Sequence, residues 1–423
     1  MYKNKFTLKD NHFFAELSGD YNPIHVDPIV SRRYMFGEPI VHGMHVLFWS
    51  LESWFSEMNG TIKLESLKIS FPKAVVLEKP VLLNVANNNN QCKIEVKQNE
   101  ILCAKIKLQY SKNEVEGIDN INSNYINNIP LKEDPKEASL NDLKNLSGEL
   151  NNYLKTDLFI KEFPNLFNSI NTNLLASLLT TTRLIGMRCP GLNSLISQMD
   201  FSFIENENSN FKYFISKIDE RFNMLFIDVI AQNFNGIIKT FMRPSPVNQL
   251  GFNDVKNHLK KSEFKGQKVL VLGGSRGLGE MTTKILAAGG ASVRFTYNRG
   301  LEEAIRIENE IISNGGIVKK IKLDVTRYSD FSSIINDNWI PTHCYYFPTP
   351  FIFSGVKGVF SENLFDKFNR VYISSFIKLL SFLRQKGTLN YFYPSSTAIN
   401  EMPDNMVEYT ISKYAAQKMC EFI

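Results

Sequence analysis

From Val269 onward the chain alternates short apolar runs with helical runs, and ahead of Pro244 it does not. That change of period constrains the fold more than any other feature, because strands separated by helices become parallel strands of a doubly wound sheet. Strands are expected at residues 269–272, 292–297, 317–323, 344–347 and 389–393. Helices are expected up to Ala288, from Leu301, near Phe331, over about 363–384 and from Glu408. The earlier part holds two blocks of another kind. The first opens with loops, places Met44, Leu47, Phe48, Leu51, Trp54 and Phe55 at helical spacing, and follows with alternating strands at 67–71, 81–86, 92–96 and 101–108. The second repeats that order, with an apolar helix over 171–187 and strands at 199–203, 211–218, 224–231 and 236–242. The interval from Gly60 to Phe71 nearly equals that from Gly191 to Phe203, which marks a duplicated unit. Polar stretches without periodicity read as linkers, giving blocks 1–111, 141–245 and 266–423 joined by 112–140 and 246–265.

A chain of 423 residues is too long for one core. Its net charge of +5 comes without an arginine-rich helix or basic run, so no nucleic-acid partner is expected and an acidic carrier or phosphorylated ligand fits better. The five cysteines lack paired spacing, which indicates neither a disulfide framework nor a metal site. There is no signal-like N-terminus and no stretch of the roughly 20 apolar residues a membrane span needs. A cytoplasmic protein with no membrane contact is expected, and a homo-oligomer is compatible with it.

Two constellations carry chemistry. Near the start, Ser18-Gly-Asp-Tyr-Asn-Pro-Ile-His-Val-Asp27 sets Asp20 and His25 five residues apart in a turn-rich stretch, and His42-Gly43-Met44 opens the first apolar helix. The same Asp-Tyr-Asn-Pro run also makes a good turn, in which Asp20 caps and His25 packs. The stretch from Phe13 to Asp20 and on through Phe36-Gly-Glu-Pro-Ile-Val-His-Gly-Met44 resembles the MaoC-like, (R)-specific enoyl-thioester hydratases of the hotdog fold. The resemblance implies that Asp20 and His25 share a catalytic water. Hydrating an enoyl thioester needs a base for the water and an acid for the α-carbon, and a neutral His with a hydrogen-bonded Asp divides those roles near neutral pH. Gly43 is the candidate donor to the thioester oxygen as enolate charge develops, because amides at a helix start are unpaired and glycine lets substrate approach. Asn22 orients the turn, and Asp27, His42 and His45 are taken as structural. The second block has no equivalent Asp and His, so it is expected to be a scaffold.

Near the end, Leu272-Gly-Gly-Ser-Arg-Gly-Leu-Gly279 follows a strand and opens a helix, where backbone amides meet a pyrophosphate. Tyr409 and Lys413 lie one helical turn apart, with Ser396 13 residues ahead of the tyrosine. This block resembles the short-chain dehydrogenases/reductases, with Leu272 in place of the usual threonine. The resemblance implies a catalytic set of Ser396, Tyr409 and Lys413. It also implies a dinucleotide site of Gly273, Ser275, Arg276, Gly277, Leu278, Gly279, Asn298, Arg299, Asp324 and Val325, shared with Tyr409 and Lys413. The basic residues Arg276 and Arg299, with no acid after the second strand, favour NADPH (NADP) over NADH. Three departures stand out: Phe347-Pro-Thr-Pro350 replaces the family's Asn-Asn-Ala-Gly-like turn, Tyr372 stands at the proton-relay asparagine, and the chain stops 14 residues after Tyr409, as in a C-terminally truncated domain.

The expectation is an α+β double hotdog followed by a Rossmann-like α/β doubly wound parallel sheet. Its activities are (R)-3-hydroxyacyl dehydration or enoyl hydration and NADPH-dependent 3-oxoacyl reduction, on coenzyme A or acyl carrier protein thioesters. Two alternatives are a reductase of a non-thioester ketone that uses the hotdogs for dimerisation or acyl recognition, and an inactive scaffold.

Overall fold

The computed structural model describes residues 2–58, 62–112, 132–204, 210–246, 248–260, 262–335, 339–355, 357–388 and 390–423. The chain divides into two compact units, Met1–Pro246 and Val247–Ile423. Among the described residues no helix is long and apolar enough to cross a membrane.

The first unit is built on one antiparallel sheet. Its strands are β1 (Tyr2–Asn4), β2 (Ile62–Ser70), β3 (Val81–Asn88), β4 (Gln91–Gln98), β5 (Ile101–Lys112), β6 (Ser147–Leu150), β7 (Ser194–Phe203), β8 (Phe211–Asp219), β9 (Met224–Ile230) and β10 (Phe234–Met242). They lie in the order β1-β3-β4-β5-β2-β7-β10-β9-β8-β6, so the second half repeats the first in mirrored sequence about the β2–β7 seam. At the seam Leu67 faces Phe201 and Ile69 faces Met199. In β4 Cys92, Ile94 and Val96 are buried while Lys93 is exposed, the period-two pattern of a sheet with one wet face.

Among the described residues six α-helices accompany the sheet: α1 (Leu8–Ser18), α2 (Pro23–Val26), α3 (Gly43–Phe55), α4 (Thr156–Glu162), α5 (Pro164–Ser169) and α6 (Thr172–Arg183). Apolar residues of α3 and α6, among them Phe48, Leu51, Leu175 and Leu179, share one core with Ile69, Ile94, Phe201 and Ile227. The opening stretch is helical, not looped. Thr7 and Asp10 form a reciprocal capping box at the start of α1, and Phe14, Ala15 and Leu17 are buried. The polar Asn11 on that buried face masked the period; its amide donates to the carbonyls of His25 (2.8 Å) and Ile40 (2.9 Å). The helix expected over 171–187 ends as α6 and widens into a π-helical turn, Leu184–Arg188.

Both stretches taken for linkers need correction. Residues 113–131 lie outside the described residues, but the rest of the first stretch is pinned: the Lys136 amide donates to Met187 O (2.9 Å), and the Leu192 amide donates to Lys136 O (2.8 Å). The second contains α7 (Phe252–Asn257), whose Phe252 is buried with Ile307 and Ile311.

The second unit has a parallel sheet of β11 (Lys268–Leu272), β12 (Ser292–Tyr297), β13 (Ile317–Lys322), β14 (His343–Tyr346) and β15 (Asn390–Phe392), ordered β13-β12-β11-β14-β15. Its helices after α7 are α8 (Gly277–Ala288), α9 (Leu301–Ser313), α10 (Glu362–Asn369), α11 (Phe376–Gln385), α12 (Ala398–Glu401) and α13 (Val407–Phe422). The single long helix expected over 363–384 is interrupted by a π-helical turn, Arg370–Ser375, and the helix expected near Phe331 is a 3-10 turn, Tyr328–Ser333. Strand order reverses at β11, which pairs with both β12 and β14. In such sheets the crevice past the strand ends at the reversal is the ligand site, and here it holds Gly273 and Phe347.

Candidate active sites

In the first unit the turn that carries Asp20 and His25 is locked by its own sequence. Gly19 takes the left-handed conformation (φ +76°), and a side chain there would come within 2.2 Å of the Tyr153 hydroxyl. Asn22 caps α2 by accepting from the Ile24 amide (3.2 Å), with Pro23 preset for the first turn. Asp20 is 2% exposed. Its Oδ1 accepts from the Asn22 amide at 3.2 Å and its Oδ2 from the Thr182 hydroxyl at 2.6 Å. His25 Nδ1 donates to Ile40 O at 2.8 Å, which leaves Nε2 as the ring's open lone pair.

Burial pushes the Asp20 carboxyl above its usual range, opposed by His25, the Thr182 hydroxyl and the Asn22 amide. Burial, with help from His42 and Arg243, pulls His25 down to about 3. At neutral pH His25 is therefore an uncharged base, while Asp20 keeps a proton more readily than an ordinary carboxyl. Those are the two roles that adding water across a conjugated double bond requires.

His42, read from sequence as structural, lies against both Asp20 and His25. Its Nε2 donates to Asp20 O (3.0 Å) and its ring stacks on His25 at 3.9 Å. Asp20, His25 and His42 bring one ligand atom each within 4.8 Å of one another, a set with the composition of a metal site. His25 Nδ1 and His42 Nε2 donate to backbone carbonyls and both Asp20 oxygens accept hydrogen bonds, which fixes the orientation of all three side chains. Asp27 accepts from the Ile29 and Val30 amides (2.7 and 2.9 Å) and shapes a turn, while His45 stacks on Phe14 at 4.6 Å. Gly43 is the first residue of α3, where an amide has no intrahelical acceptor; an added Cβ would sit 3.1 Å from the Phe71 ring.

In the second unit Gly273 (φ +72°) and Gly277 (φ +56°) occupy left-handed positions, and a Cβ on Gly279 would lie 2.2 Å from Gly273 O. The turn thus brings backbone against backbone at the start of α8, a cradle into which a phosphate fits. Ser275 is buried beside it and Leu278 is exposed. Asn298 and Arg299 are exposed past β12, and Val325 is buried after β13. Burial of the Asp324 carboxyl is outweighed by the Thr326 hydroxyl and amide, with Arg327 and Arg299 adding to the effect, so it sits below the usual range. Arg299 and Asp324 thus face the same strand ends.

Tyr409 is buried edge-on against Phe368 and Tyr372, 5.7 Å from each. Lys413 Nζ donates to Pro394 O (2.6 Å) over the rings of Tyr372 and Tyr393, and burial lowers its pKa to about 8. Ser396 Oγ accepts from the Ala398 amide at 3.3 Å. Tyr372 shares a 2.5 Å hydrogen bond with the Thr349 hydroxyl, so the substituted Pro-Thr-Pro turn and the substituted tyrosine are partners.

Residues 2–106 match the family described as MaoC like domain. This segment is a MaoC-like domain. A Saccharomyces cerevisiae protein, the peroxisomal hydratase-dehydrogenase-epimerase, is 36% identical over 69 residues, 16% of this chain and 7% of that protein. Among solved structures, the chain is similar to FolM alternative dihydrofolate reductase 1 from Brucella canis complexed with NADP (21% identity, 37% of this chain and 65% of that one, TM-score 0.33). It is also similar to a short-chain dehydrogenase/reductase from Serratia marcescens (23% identity, 36% and 65%, TM-score 0.32). The fold of the second unit is carried by its own parallel strand order.

The second half of the unit, expected from sequence to be a scaffold, holds Asp20 and Asn22 in place. Thr182 comes from α6, and Asn22 Nδ2 donates across the seam to the carbonyls of Gly186 (2.9 Å), Gly191 (3.2 Å) and Leu192 (3.2 Å). A Cβ on Gly186 would stand 2.1 Å from Asp20 Oδ1. The signals available in sequence were the Thr180-Thr181-Thr182 run and the glycine four residues on, and neither names its partner 162 residues away. Gly186→Ala is expected to displace Asp20 and lower hydration by about 10²-fold, since misplacement near 1 Å costs that much. Steady-state hydration by a variant with native circular dichroism checks this.

Proposed function

We propose that the chain is a two-site acyl-thioester enzyme. A double hotdog performs (R)-3-hydroxyacyl dehydration or enoyl hydration, and a short-chain dehydrogenase/reductase domain performs NADPH-dependent 3-oxoacyl reduction, on coenzyme A or acyl carrier protein thioesters. The observation that carries this reading is the buried pair of Asp20 and neutral His25, with one imidazole nitrogen open, inside a MaoC-like domain. His25 Nε2 takes the proton of the attacking water, Asp20 supplies the α-carbon proton, and the Gly43 amide supports the thioester oxygen. The yeast relative, whose name joins a hydratase to a dehydrogenase, supports pairing the two activities.

The glycine cradle at Gly273–Gly279 fits a dinucleotide pyrophosphate. NADPH, when bound, would supply the hydride. Arg276 and Arg299 would meet its 2′-phosphate, with Asn298, Asp324 and Val325 along the same strand ends. Ser396 would hold the substrate carbonyl, Tyr409 would pass a proton to that oxygen, and Lys413 would steady the ribose.

Loss of crotonyl-CoA absorbance on hydration, together with NADPH fluorescence titration, tests both halves; silence in either sinks that half. Arg276→Ala or Arg299→Ala should weaken NADPH binding about tenfold or more and leave NADH unaffected, because the charge-assisted phosphate contact is lost selectively. Equal loss of both nucleotides would mark a structural arginine.

A further inference from the structure

Helix α6 carries three consecutive threonines, and they do not behave alike. Thr180 Oγ1 donates to Ala176 O (2.9 Å) and Thr181 Oγ1 to Ser177 O (3.2 Å), the back-bonding to the preceding turn that a threonine inside a helix ordinarily makes. Thr182 turns its hydroxyl out of the helix and donates to Asp20 Oδ2 at 2.6 Å. It is 2% exposed, so water does not compete for that bond. Two residues later the helix widens into the Leu184–Arg188 π turn, which brings Gly186 against the other oxygen of the same carboxyl. Such π turns recur at functional sites because they re-aim a helix face.

We propose that Thr182, contributed by the second half of the unit, is a positioning residue of the hydration site, whose hydroxyl fixes the orientation and ionisation of Asp20. The proposal rests on the hydratase reading above. The groups around that carboxyl come from several elements. His25 faces it from α2, and His42 holds the Asp20 carbonyl from the start of α3. Tyr153 approaches Gly19 with Arg183 stacked on its ring at 4.6 Å, and Arg243, past β10, acts on His25. Of these, the Thr182 hydroxyl is the one side-chain donor bonded directly to an Asp20 oxygen among the described residues, and it opposes the upward push of burial. Removing it withdraws support from the ionised form, so Asp20 would titrate at higher pH.

The experiment compares wild type with Thr182→Val and Thr182→Ser. The Asp20 carboxyl is titrated by the chemical shift of a ¹³C-labelled side chain, and the pH profile of crotonyl-CoA hydration is measured alongside. Thr182→Val is expected to raise the titration by about one to two pH units, the effect of one hydrogen bond to a charged group. Loss of the fixed carboxyl orientation should also lower kcat about tenfold with KM little changed while the alkaline limb of the profile moves up with the titration, and Thr182→Ser should restore both. An unmoved titration in folded Thr182→Val overturns the proposal, as does a shift that serine fails to reverse. If the valine variant does not fold, Thr182→Ala against Thr182→Ser makes the same comparison. A wild type that hydrates no enoyl thioester would end the functional reading, while the carboxyl titration, which needs no substrate, would still decide the role of Thr182.

Discussion

Asp20→Asn and His25→Ala are each expected to lower hydration by about 10² to 10⁴-fold while leaving the fold intact, the range for loss of a positioned acid or base. Asparagine can still accept from the Asn22 amide through its carbonyl oxygen but has no carboxyl proton to give. Alanine at 25 removes Nε2, the ring nitrogen left open after Nδ1 donates to Ile40 O. The two groups act on one water and one substrate, so the double variant should be little worse than either single one. The pH profile separates their roles. His25 remains neutral down to about 3, so it contributes no acid limb near neutrality. A limb above the ordinary carboxyl range would report Asp20, whose carboxyl burial pushes upward; with Asp20 as the proton donor, activity falls as pH rises through that limb. Near-native turnover by either folded single variant would remove the dyad from the mechanism.

What could be read from sequence follows from the range of the interactions. The strands at 81–86 and 92–96 and the β/α alternation after Val269 rest on local periodicity, and they reappear as β3, β4 and the parallel sheet with ends moved by a few residues. Helix α1 escapes the periodicity because Asn11, a polar residue, occupies its buried face to bond the carbonyls of His25 and Ile40. Helix α7 was missed because only Phe252 and Val255 anchor a short polar segment. The site divides along the same line. Asp20, Asn22 and His25 sit within one turn and can be recognised together. The Thr182 hydroxyl, the Gly186 clearance and the stacking of His42 on His25 exist only once distant segments meet. Tyr372 reads in sequence as a departure from the family pattern, and the structure gives it a hydrogen-bond partner in Thr349.

The second large effect expected is acid unfolding of the first unit. His25, His42 and His45 are each buried with pKa values lowered from 6.5 to about 3, chiefly by desolvation. A depressed histidine binds its proton in the unfolded chain first. Its contribution to stability is therefore complete above pH 6.5 and is lost as pH falls from there toward 3. Asp20 acts in the opposite sense, because a raised carboxyl takes its proton in the folded state first, and it offsets at most one of the three histidines. A net uptake of two to three protons on unfolding costs about 3 to 4 kcal/mol per pH unit. Against a typical domain stability of about 5 to 15 kcal/mol, that slope exhausts the lower value about one to two pH units below 6.5, and the histidines saturate near 3 before it reaches the upper one. Denaturant melts followed by circular dichroism between pH 7 and 4 measure the slope directly. His45→Leu isolates one proton, because that ring packs between Phe6 and Phe14 outside the dyad and its buried Nδ1 has no hydrogen-bond partner. The variant should shed about one third of the pH dependence while hydration at neutral pH persists. A stability that is flat from pH 7 to 4.5 would mean that these histidines reach water, and the neutral, desolvated His25 on which the hydration chemistry depends would fall with it.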